Sequence, residues 1–516
     1  MVPVRIFSTR PSAAVESLTD RTVRAGQWRL ASAIVSGLFQ FAIAALLARL
    51  LSPEEFGLVT LAMVVIGLAR FFSDLGIAAA LVQRRELTER HIRSAFTISA
   101  VLGAAMAALL GFVAPLGGVL LNEPRVTPIL RALALSFVLQ GCGLVAGAQL
   151  RRSLNFRRLF FIDVSTHVSG YGGAAITLAL LGYGVWSLVW GALTQALLAC
   201  VAQYAATRHP LRPLIGRHEL RELLRFGLGA SFGGVVNYAA INADNFIVGR
   251  FIGAAALGLY SRAYNMMNLP QVYVASVISG VLFPAFSEVQ GEPDRLRRGF
   301  LQATGLTAMA AGPVMAAMVV AAPHLVVTLY GPRWTGSVAP LQILCGAGYF
   351  RALYHLGGVT AYSAGRVHAE LKRQVLYAAL VITGSLVGIR FGITGVAAGV
   401  AVAVVCMYVL TGQLAIKVTA ASWGSYLQVQ VAAAITTLST LILALMIRAG
   451  LEAFEAPSPL ITIALIAACM GAWSVGMLWK LGEPAYAPLR AKLPPVAAQL
   501  TIRLRSGTRL APESQS

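Results

Sequence analysis

The sequence predicts an all-α polytopic membrane protein: about fourteen transmembrane helices, in two parallel six-helix lobes followed by two C-terminal helices. Three observations lead there. Of 516 residues, 57% are hydrophobic and only 12% charged, against about 25% charged in a typical soluble domain. Fourteen windows are long and apolar enough to cross a bilayer, which takes roughly 20 residues. The basic residues alternate between the two ends of these windows.

In order, the windows lie near 28–50, 57–82, 94–119, 129–150, 159–181, 184–206, 226–249, 258–283, 300–322, 336–358, 374–391, 393–416, 427–448 and 458–480. Residues 1–27 carry Arg5, Arg10, Arg21 and Arg24 but no apolar core, so they read as a cytoplasmic tail and not a signal peptide. Residues 28–206 make the first lobe and 226–417 the second. Between them, 207–225 is a cytoplasmic linker whose His218–Arg225 stretch reads as an amphipathic helix on the membrane surface. Residues 427–480 supply the last two helices, and 481–516 a second cytoplasmic tail.

Charge supports the count. With the N-terminus inside, the cytoplasmic segments hold 31 Lys and Arg and the outer segments six. Lys and Arg mark the cytoplasmic side, and one miscounted helix would invert every later loop. Both termini are therefore expected in the cytoplasm. Arg70, Arg131, Arg262 and Arg351 fall within spans.

Composition also excludes functions. The net charge of +21 is spread over short loops and tails, which suits a bilayer and not nucleic acid. Five cysteines stand singly in apolar stretches, so no metal or cofactor is expected. The single GxSxG string, Gly229–Gly233, lies inside a span, where the strand-to-helix turn of a nucleophile elbow has no place. No connection is long enough for a catalytic domain, so the chain is not expected to be an enzyme.

An internal repeat sets the architecture. Ala48-Arg49-Leu50-Leu51 is followed by Phe56-Gly57-Leu58, and Gly249-Arg250-Phe251-Ile252 by Leu257-Gly258-Leu259, so Arg, Gly and Leu recur 201 residues apart. Gly184-Val185 is echoed by Gly395-Val396. Both repeats start inside with six spans each, which makes them parallel repeats around a cleft. Arg49 and Arg250 close the outer ends of their helices, where a cation meets the helix dipole and headgroups or gates the outer mouth.

Leu47–Gly57 and Phe72–Ile77, with Asn242–Arg250 and Tyr260–Asn265, resemble bacterial polysaccharide-biosynthesis flippases. These are Wzx-like and WzxC-like members of the multidrug/oligosaccharidyl-lipid/polysaccharide exporter superfamily. The resemblance runs from about residue 20 to 480. It implies transfer of undecaprenyl-diphosphate-linked oligosaccharide, an O-antigen, capsule or exopolysaccharide repeat unit, across the bacterial inner membrane by alternating access. It implies membrane lipids, a polysaccharide polymerase and glycosyltransferases as further partners. A cation-coupled exporter of small molecules shares the fold and is the alternative.

Ionisable groups within the membrane are costly and are the candidates for function. Arg70 and Asp74 share one helix face, as do Asp163 and His167. Asp244 lies among Asn237, Asn242 and Asn245. Arg351 and His355 stand one turn apart on a span without an acid. A diphosphate calls for delocalised cations, and sugars for amides and hydroxyls. Arg70, Asp74, Asn245, Arg262, Arg351 and His355 are therefore candidate cargo contacts. Asp163, His167, Asp244, Arg49 and Arg250 are candidates for gating or coupling, and each charged pair also fits a purely structural role.

Overall fold

The computed structural model describes residues 35–84, 87–214, 216, 235, 237–268, 270, 286, 292–453 and 459–480. The 1–27 and 481–516 tails, the His218–Arg225 amphipathic stretch and the Gly229–Gly233 string lie outside these residues. Wherever an expected span is described it is helical, apart from a turn at 75–76 and turn residues at 181 and 184.

Local sequence sets the helix ends. The first helix, α1, covers Val35–Leu50. Ser52-Pro53-Glu54-Glu55 starts α2 (Pro53–Asp74) with a capping box. The Ser52 Oγ accepts from the Glu55 N–H at 3.3 Å, and the Glu55 carboxylate accepts from the Ser52 N–H at 2.7 Å. Proline at the first helical position loses nothing, because its N–H would have no partner there. The helix breaks where Leu75 (φ 43°) and Gly76 (φ 70°) adopt left-handed backbone, and α3 (Ile77–Gln83) resumes it. Next come α4 (Glu89–Leu120) and α5 (Val126–Arg152). The fifth span is composite: α6 (Phe156–Thr166) passes through a π-helix (His167–Ala174) into α7 (Ala175–Leu180). It is followed by α8 (Val185–Thr207), α9 (237–251) and α10 (254–268).

Six helices follow among the described residues. They are α11 (Pro293–Tyr330), α12 (Val338–Ser363), α13 (Val367–Gly388), α14 (Gly392–Thr419), α15 (Trp423–Ala453) and α16 (Pro459–Lys480). Taking α2 with α3 and α6 with α7 as one span each, the described helices number fourteen, in the order expected. The tight pair at 374–391 and 393–416 is real: a 3-10 turn at Ile389–Phe391 and Gly392 (φ 66°) divide α13 from α14.

Two compact units result, Met1–Ser261 and Arg262–Ser516. In the first, α5 is the central helix. Its Ile129, Leu133, Phe137 and Val145 are buried, and α4, α8 and α2 pack on it. The Ser99 hydroxyl of α4 donates to the Gly141 carbonyl of α5 at 2.9 Å. Arg152, ending α5, donates to the carbonyls of Leu81 (3.1 Å) and Arg84, which satisfies the open end of α3. In the second unit, α11 is the longest helix, 38 residues with Pro313 and Pro323 inside it. It packs against α12, α15 and α16. Phe300, Met309, Leu353, Leu356, Tyr408 and Tyr426 form the core there.

Candidate functional site

The two copies of the repeat meet within the first unit. A Cβ added to Gly57 of α2 would run into the Ala254 carbonyl, and one added to Gly258 of α10 would run into the Pro53 carbonyl. Ala254 is Pro53 shifted by 201 residues, and Gly258 is Gly57 so shifted. The contacts are thus reciprocal, as a self-complementary interface requires. Small residues spaced four apart allow this backbone approach.

Charged groups gather beside the start of α2. Arg125 forks onto Glu123 through Nε (2.8 Å) and Nη2 (2.9 Å), and Nη2 also reaches Glu54 at 2.6 Å. The Arg125 hydrogen bond holds the Glu123 carboxyl below its usual range. Glu123 and then Glu54 hold the guanidinium above its own. Glu54, Glu55, Leu58, Arg125, Ile129 and Trp186 line a cleft of about 370 Å³.

Asp244 is fully buried on α9. Its Oδ2 accepts from the Tyr260 hydroxyl at 2.7 Å and its Oδ1 from the Asn245 N–H at 2.8 Å. The neighbouring amides do something else. Asn242 donates its side chain to the Tyr238 carbonyl (3.0 Å), Asn237 is exposed, and the buried Asn245 Oδ1 has no partner among the described residues. Tyr238 donates its own hydroxyl to the Met63 carbonyl of α2 at 3.0 Å.

The two expected i, i+4 pairs do not form ion pairs among the described residues. The Asp74 Oδ1 accepts from the Ala78 N–H at 3.2 Å, capping α3 beyond the break, while Arg70 is exposed. His167 opens the π-helix, lies against Gln195 of α8 (Nδ1 to Oε1, 3.3 Å) and stacks on Tyr171 at 5.3 Å. Its Nε2 is buried without a partner, and Asp163 is exposed one turn earlier. Such π turns concentrate at functional positions.

In the second unit, Arg351 Nη1 donates to the Tyr264 hydroxyl at 2.7 Å, and its guanidinium lies 5.1 Å from that ring's centre. Among the described residues no carboxylate pairs with Arg351, whose side-chain partner is the Tyr264 phenol. His355, one turn on, is exposed. Of the remaining candidates, Arg49 is exposed, Arg262 is half-buried, and Arg250 lies 5.6 Å from the Phe251 ring.

The sequence reading missed the tyrosines. Tyr260 and Tyr264 stand one turn apart on α10 and are both buried. Two phenols at i, i+4 among apolar residues were a usable signal, because a buried hydroxyl needs a partner. It also missed Glu370 of α13, a fully buried carboxyl that accepts from Gln374 at 2.9 Å. Among the described residues no three His, Cys, Asp or Glu are placed to hold a metal ion.

Comparison with known proteins agrees with this architecture. Residues 46–339 match the family described as "Polysaccharide biosynthesis protein". Lipopolysaccharide biosynthesis protein WzxC of Escherichia coli (strain K12) is 26% identical over 379 residues, covering 72% of this chain and 76% of that protein. Succinoglycan biosynthesis transport protein ExoT of Rhizobium meliloti (strain 1021) is 30% identical over 320 residues, 61% of this chain and 64% of its own. Among solved structures, lipid II flippase MurJ in an inward closed conformation aligns with a TM-score of 0.70 at 15% identity, covering 89% of this chain and 99% of that one. An inward-facing multidrug resistance MATE family transporter aligns with a TM-score of 0.62 at 16% identity, covering 77% and 98%. The latter two likenesses concern the fold: an all-α polytopic membrane transporter architecture of about fourteen helices. With more than half its length matched, the chain is a member of the polysaccharide biosynthesis protein family.

Proposed function

We propose that this protein moves an undecaprenyl-diphosphate-linked oligosaccharide from the cytoplasmic to the outer leaflet of the bacterial inner membrane by alternating access. The observation that carries the reading is family membership, with relatives named for lipopolysaccharide biosynthesis and succinoglycan transport. The site chemistry is compatible. Arg351 is a delocalised cation held by a phenol and not neutralised by a described carboxylate, and an arginine fork suits a diphosphate. His355 on the same helix supplies a second nitrogen donor, and Arg70 and Arg262 further charge. Spans 1–6 and 7–12 act as the two moving lobes, and no catalytic step is required.

The test is transport by purified protein in liposomes, using polyprenyl-diphosphate sugars labelled on the glycan. Protein-dependent exposure of the label on the far leaflet is expected. Exposure equal to protein-free liposomes, alongside cation-driven export of small molecules, would replace this reading with the exporter. Both termini are placed in the cytoplasm. Reporter fusions after residues 88, 154, 215 and 292 should read cytoplasmic, and those after 54 and 334 periplasmic.

A further inference from the structure

We infer that residues 208–214 with Gly216 form a strap docked on α4 and released when His209 takes up a proton. The strap begins where α8 ends. Arg208 adopts left-handed backbone (φ 48°, ψ 40°) and turns the chain back along α4. Three hydrogen bonds then hold it. The Arg212 carbonyl accepts from Arg93 Nε at 3.1 Å, the Leu214 N–H donates to Thr97 Oγ1 at 3.0 Å, and the Gly216 N–H donates to Ser94 Oγ at 3.3 Å. The Thr97 hydroxyl donates to its own helix, to the Arg93 carbonyl (2.9 Å). Its oxygen is thereby left to accept from the strap.

His209 is the plug beneath this strap. Its side chain is 3% exposed. Its ring centre is 5.4 Å from Phe96 of α4 and 5.3 Å from Tyr204 of α8, perpendicular to the latter. The Nδ1 faces the Pro210 carbonyl at 3.4 Å, and the buried Nε2 has no partner. A neutral ring with its proton on Nδ1 fits this place. A second proton, on Nε2, would create a cation among aromatic rings with nothing to accept from it.

Among the described residues at this end of the packed elements, the titratable and charged groups are Glu89, Arg90, His91 and Arg93 on α4, Arg151 and Arg152 on α5, Tyr204 on α8, and Arg208 and Arg212 on the strap. Glu89, the acid among them, already pairs with Arg93 at 3.7 Å. Burial accordingly pushes the His209 imidazole below its ordinary range. The docked form therefore binds the proton more weakly than the released form. Docking is fully stable above the free imidazole value of about 6.5 and weakens as pH falls through the docked value.

Release would matter because this segment leads from one repeat to the next. At ~3.3–3.6 Å per residue, the nine positions 208–216, once freed, can span at most roughly 30 Å of that connection. The device would set how freely the two repeats move apart, and it holds whatever the cargo is.

The test is hydrogen–deuterium exchange of the full chain in lipid nanodiscs between pH 7.5 and 5.0, with rates divided by the intrinsic rate at each pH. Exchange at Leu214 and Gly216 should rise severalfold as pH falls, because the released form binds the proton more tightly. His209→Phe and His209→Gln should each abolish the pH dependence, the first with the strap protected throughout. His91→Asn should leave the rise intact. A flat wild-type profile, the same rise in both His209 variants, or loss of the rise in His91→Asn would each overturn the strap as a His209 switch.

Discussion

Gly57 and Gly258 hold equivalent places in the two repeats, and each packs against the backbone four residues before the other: Gly57 on Ala254, Gly258 on Pro53. The repeat read from sequence as a 201-residue offset is therefore a physical contact. Each glycine faces a carbonyl, which cannot move aside as the tip of a long side chain would. Gly57→Ala and Gly258→Ala should each destabilise the protein by about 1–3 kcal/mol, the ordinary cost of overpacking. Because both act on one crossing, the double variant should lose less than the two losses combined. Thermal unfolding in detergent measures this. Wild-type melting of either single variant, or strict additivity, would count against the shared crossing.

Tyr260 and Asp244 make the second test. Both are buried, and the phenol donates to the carboxylate at 2.7 Å. Tyr260→Phe keeps the ring and removes one donor from a buried charge. The expected cost is about 1–3 kcal/mol, visible as a lower melting temperature. Asp244→Asn should cost less, since an amide needs fewer donors than a carboxylate. If Tyr260→Phe melts like wild type, the hydrogen bond contributes nothing net.

The Glu123–Arg125 pair carries a pH signature. Arg125 holds Glu123 below its usual range. The ion pair thus contributes above the unfolded carboxyl value of about 4.3, and that contribution is lost as pH falls through the lowered value. The Arg125 side chain is 57% exposed, so solvent screens the pair. A double-mutant cycle of Glu123→Gln and Arg125→Gln should give a coupling of roughly 0.2–1 kcal/mol at neutral pH. The coupling should shrink in high salt and vanish in acid. A coupling independent of pH would show that it is not ionic.

Much of this was legible because a bilayer demands long apolar helices, and length and apolarity are written residue by residue. The apolar spans follow from that demand. The partners of the polar groups were not legible, because they are set by folding across long separations. Arg351 meets Tyr264, 87 residues away. The i, i+4 rule failed at Asp74 because left-handed Leu75 and Gly76 end the helix, leaving the carboxylate to cap α3. At His167 the α-turn back to the Asp163 carbonyl is intact, but Gln195 of α8 meets the ring instead.

Arg351 offers the sharpest test of the proposed cargo site. A charge within a span costs about 2.5–3.5 kcal/mol at a helix centre on insertion scales, so its retention needs a compensating contact. Tyr264 supplies a hydrogen bond and a ring face, but a phenol does not neutralise a cation. A diphosphate would. Arg351→Ala should leave folded protein in the membrane yet abolish glycan export in a strain lacking its own transporter. Arg351→Lys should restore export only in part, because the ammonium keeps the charge and loses the bidentate fork. Tyr264→Phe separates the two roles: it removes the hydroxyl that orients the guanidinium but keeps the ring, so export should fall less than in Arg351→Ala. Protein level is followed by immunoblot. Full export by well-expressed Arg351→Ala would remove this residue from the cargo path. Loss of the protein itself in Arg351→Ala and Tyr264→Phe alike would make the pair a structural bond of the second unit.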